Sequence, residues 1–401
     1  MQRMLEEADT LMKKRKVNTI LCIGDSTLGN PELTYLVRTF LPRGGIYLKK
    51  VGEEPILVVS NIDVGNARHG IVKNIQTFSD YNYRELLRKY GRKRAYIELI
   101  ASILKRNRAK ERVGIYGKVE SARLLYIVDA LRKKGFKITG ENKPTLLDIM
   151  RRRKDRWEIE AIRDAADRTV KVVQEVEEFL SSLDLRDGVA ALDGERITVG
   201  SVKNLVRRLC IENGLQLPED HIFAVGRSSA DPHEAGHDED LITEGEPIVF
   251  DIFPQSIKTG YWYDFTRTYV LGKPSSTLSR IYEDVADAQD MVLDNIHAGL
   301  SGGEVMNMVC QFFKKNGRPT LLEGSEYQGF IHGLGHGVGL TIGEEPYLTV
   351  GEEEPLEENN VVTVEPGLYY PEIGGVRLED VVIIESYKAR VVKEHKRRLE
   401  I

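Results

Sequence analysis

Apolar positions along the chain switch between helical and strand-like spacing, and the switches mark its elements. "MQRMLEEADTLMKKRK" has helical spacing to about Lys16, and "NTILCIG" reads as a strand. "GIYLKKVGEEPILVVS" reads as a hairpin, "RVGIYG" as a further strand and "ESARLLYIVDALRKKG" as a helix. This alternation predicts an α/β domain over residues 1–150. A second domain, 151–401, is predicted to open on one long amphipathic helix in "LLDIMRRRKDRWEIEAIRDAADRTVKVVQEVEEFLSSL". There Ile159, Ile162, Ala166, Val170 and Val173 recur on one face. Its basic start, Arg151 to Lys154, reads as a solvated face rather than a phosphate-binding patch.

The second domain is strand-rich, and its acidic residues fall in pairs. In "EPIVFDIFPQSIKTGYWYDFTRTYVLG" two strand-like runs flank a turn region between Ile257 and Lys258, which sets Asp251 and Asp264 roughly opposite each other on one face. Cross-strand neighbours have Cβ atoms about 4.5–5.5 Å apart. Two carboxylates that close repel unless they share a proton or a cation. "VVTVEPGLYYPEIGGVRLEDVVII" repeats the arrangement, with Glu365 and Glu379 flanking a turn centred on Glu372. Asp251 follows "PIVF" and Glu365 follows "VVTV", runs typical of buried strands, and a buried carboxylate must be paired or ligate a metal. Asp380 should point to the other face by strand alternation. Glu352 to Glu354, Glu357 and Glu358 lie in a loop-like stretch and read as solvated.

Residues 332–340, "HGLGHGVGL", add two imidazoles, His332 and His336, among four glycines. Four carboxylates and an imidazole suit a pair of divalent cations, and the glycines would let backbone and ligand approach closely. Composition narrows the rest. The length favours two domains, and the net charge of −5 gives no sign of a nucleic-acid or membrane partner. No run approaches the roughly 18 apolar residues of a spanning helix, and the charged start is no secretory signal, so a cytoplasmic protein is expected. Cys22, Cys210 and Cys310 are isolated and read as core residues.

These residues resemble the pita-bread metallopeptidases: methionine aminopeptidase, prolidase and aminopeptidase P, with the metal-free relative creatinase. The resemblance covers most of the chain. Residues 1–150 are similar to the N-terminal domain of the prolidase and aminopeptidase P branch, and 151–401 match the catalytic domain in motif order. It implies an α/β N-terminal domain followed by an α+β pita-bread catalytic domain. It also implies a metal-ligand set of Asp251, Asp264, His336 in "GHGVG", Glu365 in "EPG" and Glu379 in "GGVRLED". His233 in "ADPHEAG" matches the substrate-side histidine, and His332 the extra histidine of the proline-specific branch.

The activity so implied is hydrolysis of the N-terminal peptide bond of Xaa-Pro peptides or dipeptides, dependent on two divalent ions. Manganese suits a carboxylate-rich site, and cobalt, zinc and iron are also compatible. Asp264 and Glu379 would bridge the ions, Asp251 would complete one coordination sphere, and His336 with Glu365 the other. Glu365 would carry a proton to the leaving amine, His233 would stabilise the oxyanion, and Arg377 would fix a carboxylate from behind. A homodimer is also implied. Two features depart from the family. The aspartates are 264 − 251 = 13 positions apart rather than the usual eleven, a change that preserves strand parity. Gly343 stands where a histidine that helps hold the scissile carbonyl is usual. Two other readings therefore stand beside the first: a same-fold hydrolase acting on a different amide or C–N bond, and a weakly active relative that serves as a binding module.

Overall fold

Thr19–Gly24 is buried along its whole length, as an unbroken apolar run requires when both faces of a sheet are covered. It lies inside a six-stranded sheet ordered Asn74–Thr77, Ile56–Val59, Gly45–Lys50, Thr19–Gly24, Val113–Tyr116, Ile138–Thr139. The strand is antiparallel to Gly45–Lys50 and parallel to Val113–Tyr116. Apolar residues of the helices Tyr83–Arg106 and Ser121–Lys133, among them Ile100, Leu104, Ile127 and Leu131, share a core with Leu21, Ile23, Ile46 and Leu48. In the computed structural model, which describes residues 2–325 and 327–401, these elements belong to the first of two units, Met1–Arg151 and Arg152–Ile401.

The long helix expected from residue 146 is two helices, Leu146–Arg152 and Arg156–Ser181. Asp155 causes the break. Its carboxylate accepts from the Glu158 N–H (3.0 Å) while Glu158 accepts from the Asp155 N–H (2.9 Å), a reciprocal cap that starts a new helix. The basic run before it is not the expected solvated face, because Arg151 and Lys154 are buried, 5% and 1% exposed. Lys154 lies outside both helices, and its Nζ pairs with Glu344 Oε1 at 2.7 Å, which satisfies a buried ammonium. All three cysteines are buried and unbridged.

In the second unit Pro247–Ile252 lies between Ile222–Val225 and Phe265–Val270, all antiparallel. A five-stranded sheet runs in the order Ile342–Leu348, Gly335–Val338, Val361–Val364, Asp380–Ile383, Arg390–Val391. The helices Ser276–Asn295 and Gly302–Lys315 pack Ile281, Val285, Val309 and Phe313 into one core with Val362, Val364, Val376 and Val382. Thr268 links Phe265–Val270 to the neighbouring Gly374–Arg377 strand, donating to Arg377 O (2.9 Å) and accepting from Arg377 N–H (3.0 Å). Among the described residues no helix is long and apolar enough to cross a membrane.

Candidate metal centre

The two aspartates reach one face on the expected antiparallel hairpin, but its register is shifted by two residues from the expected one. Asp251 pairs with Thr266, not Asp264, and Asp264 precedes the strand by one residue. It is therefore a diagonal neighbour of Asp251, two positions from the directly opposed residue and on the same face. The residues between them do close on the expected turn: Gln255 pairs antiparallel with Trp262 in the same register and the Ser256 N–H donates to Tyr261 O (2.8 Å), while Gln255–Ser256 also pairs with Leu215–Gln216.

Glu365 and Glu379 do stand opposite each other. Val361–Val364 pairs with Asp380–Ile383, and Gly367–Tyr370 with Gly374–Arg377, in one continuous register. Between the two ladders the hairpin opens at the glutamates. The Glu365 N–H donates to Leu334 O (2.9 Å), just before the Gly335–Val338 strand, and the Glu379 N–H to Thr266 O (3.0 Å), so each glutamate is held by a neighbouring segment. His336 sits on Gly335–Val338, and a Cβ at Gly335 would collide with the Thr363 carbonyl, so glycine lets this strand approach its neighbour.

One ligand atom from each of Asp264, His336 and Glu379 lies within 4.8 Å of the others. His336 Nε2 is 3.5 Å from both Asp264 Oδ2 and Glu365 Oε1. Its Nδ1 is 3.1 Å from the Gly337 carbonyl, which can only accept, so Nδ1 carries a proton and Nε2 faces two carboxylates. Thr266 Oγ1 donates to Glu379 Oε2 (2.6 Å) and Thr363 Oγ1 to Glu365 Oε1 (3.2 Å). Glu379 Oε1 and Asp251 Oδ1 are buried without a hydrogen-bond partner among the described residues. Burial, then the neighbouring carboxylates, pushes Asp264 and Glu379 well above the usual carboxylate range, and burial pushes Glu365 up to about 8. Orphaned oxygens, an imidazole lone pair and crowded carboxylates are what divalent cations would satisfy, so the donor set fits them.

Comparison with known proteins agrees. Residues 160–386, more than half of the chain, match metallopeptidase family M24. The chain belongs to that family. It is 34% identical over 237 residues to the Xaa-Pro dipeptidase of Pyrococcus furiosus, covering 58% of this chain and 65% of that one. A second Xaa-Pro dipeptidase, from Pyrococcus horikoshii, is 33% identical over 60% of this chain and 66% of its own. The match thus spans slightly under two thirds of each of these two relatives. The solved prolidase of Pyrococcus furiosus superposes with a TM-score of 0.74 at 26% identity, covering 97% of this chain and 100% of that one. The family's pita-bread catalytic fold, preceded by an α/β unit, is the fold of this chain.

Other residues proposed for the family site line the same cavity of about 610 Å³: His233, His332 and Arg377. His233 is exposed, its N–H donating to Asp231 Oδ1 (3.1 Å). His332 is held at both ring nitrogens: Nδ1 donates to Gly333 O (2.6 Å), which leaves Nε2 to accept from the Tyr369 hydroxyl (2.9 Å). Burial holds this imidazole down to about 3, so it is neutral. Arg377 donates to Tyr369 Oη (2.7 Å) and to Asp251 Oδ2 (2.6 Å), so a polar chain runs from His332 through Tyr369 and Arg377 to Asp251. Tyr369, Thr266 and Thr363 were not singled out in the sequence. The threonines carried a signal, since each stands two residues from a carboxylate on a strand face. At Gly343 φ is +69° and a Cβ would meet nothing within 4 Å. Space is open, but the backbone there is one that L side chains avoid, so glycine answers a conformational need.

Proposed function

We propose that this protein hydrolyses the N-terminal peptide bond of Xaa-Pro peptides or dipeptides with two divalent ions held by Asp251, Asp264, His336, Glu365 and Glu379. The observation that carries the reading is the convergence of Asp264, His336 and Glu379 within 4.8 Å beside buried, donorless carboxylate oxygens. The relatives named Xaa-Pro dipeptidase and prolidase support the substrate class. When bound, such ions lower the pKa of a water and polarise the scissile carbonyl. Glu365, beside the ions, would carry a proton from the nucleophilic water to the leaving amine. His233, the exposed imidazole on the cavity wall, donates to the developing oxyanion. Arg377 fixes Asp251 by its 2.6 Å ion pair and so orients it as a ligand. His332 shapes the wall that receives proline. The proposal includes manganese as the favoured ion and a homodimer as the assembly.

Metal analysis and a dipeptide panel test the reading together. About two divalent ions per chain and hydrolysis of Xaa-Pro in preference to Xaa-Ala are expected. Glu365→Gln should lower kcat by roughly 10²–10⁴-fold, the usual contribution of a positioned acid–base group, with a much smaller change in KM. A wild-type protein that binds ions but leaves every Xaa-Pro peptide intact would point instead to another amide substrate.

A further inference from the structure

Arg267 is 1% exposed, carries a full charge and does not line the cavity. Its strand, Phe265–Val270, begins immediately after Asp264. Strand alternation sends Thr266 toward the carboxylates and Arg267 to the opposite side. There Nη1 donates to Thr266 O (2.9 Å) and to Glu379 O (2.7 Å). Nη2 donates to Asp380 Oδ1 (2.8 Å) and to His395 O (3.0 Å). The guanidinium lies 4.1 Å from the centre of the Phe265 ring.

Glu379 is therefore fixed at three points from the strand that follows Asp264. Its N–H donates to Thr266 O (3.0 Å), its Oε2 accepts from Thr266 Oγ1 (2.6 Å), and its carbonyl accepts from Arg267. What remains free is Oε1, and one carboxylate oxygen of Glu379 converges with Asp264 and His336. We propose that Arg267 is a positioning residue for the metal centre: by clamping the main chain of Glu379 to the strand behind Asp264, it sets the spacing of these two carboxylates without touching either. The clamp needs a planar, multi-donor cation. A lysine ammonium is a point charge on a flexible stem and cannot span Glu379 O, Asp380 and His395 O in fixed geometry. Without the guanidinium, the Glu379 carbonyl and the Asp380 carboxylate, which is 6% exposed, lose their donor in a buried setting. The 379–380 segment must then shift to find others.

This inference rests on the metal reading above, and the test keeps the two apart. Cobalt(II) is titrated into the metal-free wild type, Arg267→Lys and Asp380→Asn, with circular dichroism to confirm folding. Affinity and the visible spectrum at saturating cobalt are recorded. A wild type that binds no cobalt ends the metal reading, and this inference with it, before any variant is compared. With binding established, folded Arg267→Lys should bind about 10–100-fold more weakly and show an altered spectrum, because the ligand field reports carboxylate placement. A residue that served stability alone would lower the melting temperature while leaving cobalt affinity and spectrum as in the wild type, and that result overturns the proposal. If Arg267→Lys does not fold, Asp380→Asn decides. It leaves the guanidinium in place but weakens its anchor, so a smaller loss of affinity in the same direction supports the clamp and an unchanged affinity and spectrum refutes it.

Discussion

At the scale of single residues, the most informative position is one without a side chain. By its resemblance to the family, Gly343 is expected to stand where a histidine usually helps hold the substrate, which by itself reads as a missing donor. Its φ of +69° adds a conformational reason. Placing any L residue there costs roughly 1–2 kcal/mol, so Gly343→Ala and Gly343→His should both lose about that much stability in chemical denaturation. Gly343→His should raise kcat on Xaa-Pro peptides only if the imidazole, in the open space beside the backbone, gains more as a donor than the strained turn loses. Two variants as stable as the wild type would show that the left-handed conformation imposes no constraint. His332 is a different case. Its spacing from His336 was visible in "HGLGH", but nothing near it in the chain announced that Tyr369 would occupy its Nε2.

At the scale of elements, what could be read depended on whether partners were close in sequence. The 361–383 hairpin was legible because its turn is short and centred, so the opposition of Glu365 and Glu379 followed from counting. The 247–270 hairpin was legible in its turn and parity but not in its register. Its intervening segment makes a second strand pairing with Leu215–Gln216, and no local signal set Thr266 rather than Asp264 opposite Asp251. The burial of Lys154 was hidden for the same reason, since Glu344 lies 190 positions away. Strand faces also reveal supporting hydroxyls. Thr266→Val keeps the β-branched shape but removes the donor to Glu379 Oε2 (2.6 Å). Such supporting contacts are worth about 10–100-fold in metal affinity, so calorimetric titration should find manganese binding weakened by that factor. Equal affinity in the two proteins would show that the hydroxyl does not orient the carboxylate.

At the scale of the whole molecule, the crowded carboxylates make stability depend on both pH and metal. Without ions, Glu365 holds its proton up to about 8, against an ordinary value of 4.5, because it is buried, and Asp264 and Glu379 are raised in the same direction. A group that binds its proton more tightly when folded contributes fully below its unfolded pKa, and that contribution disappears as pH rises through the folded value. For Glu365 the window runs from about 4.5 to about 8. The metal-free protein should therefore lose stability from Glu365 between pH 5 and pH 8, and Asp264 and Glu379 act in the same direction. Divalent ions replace the protons and bind only the folded arrangement, which at a hundredfold excess over Kd adds about 2.7 kcal/mol. Proton competition weakens that binding at pH 5, so the rise in Tm on adding manganese to chelator-treated protein should be larger at pH 8 than at pH 5. Scanning calorimetry at the two pH values measures both gains directly. An equal or larger gain at pH 5 would mean that the carboxylates of Asp264, Glu365 and Glu379 are not the groups the ion displaces protons from.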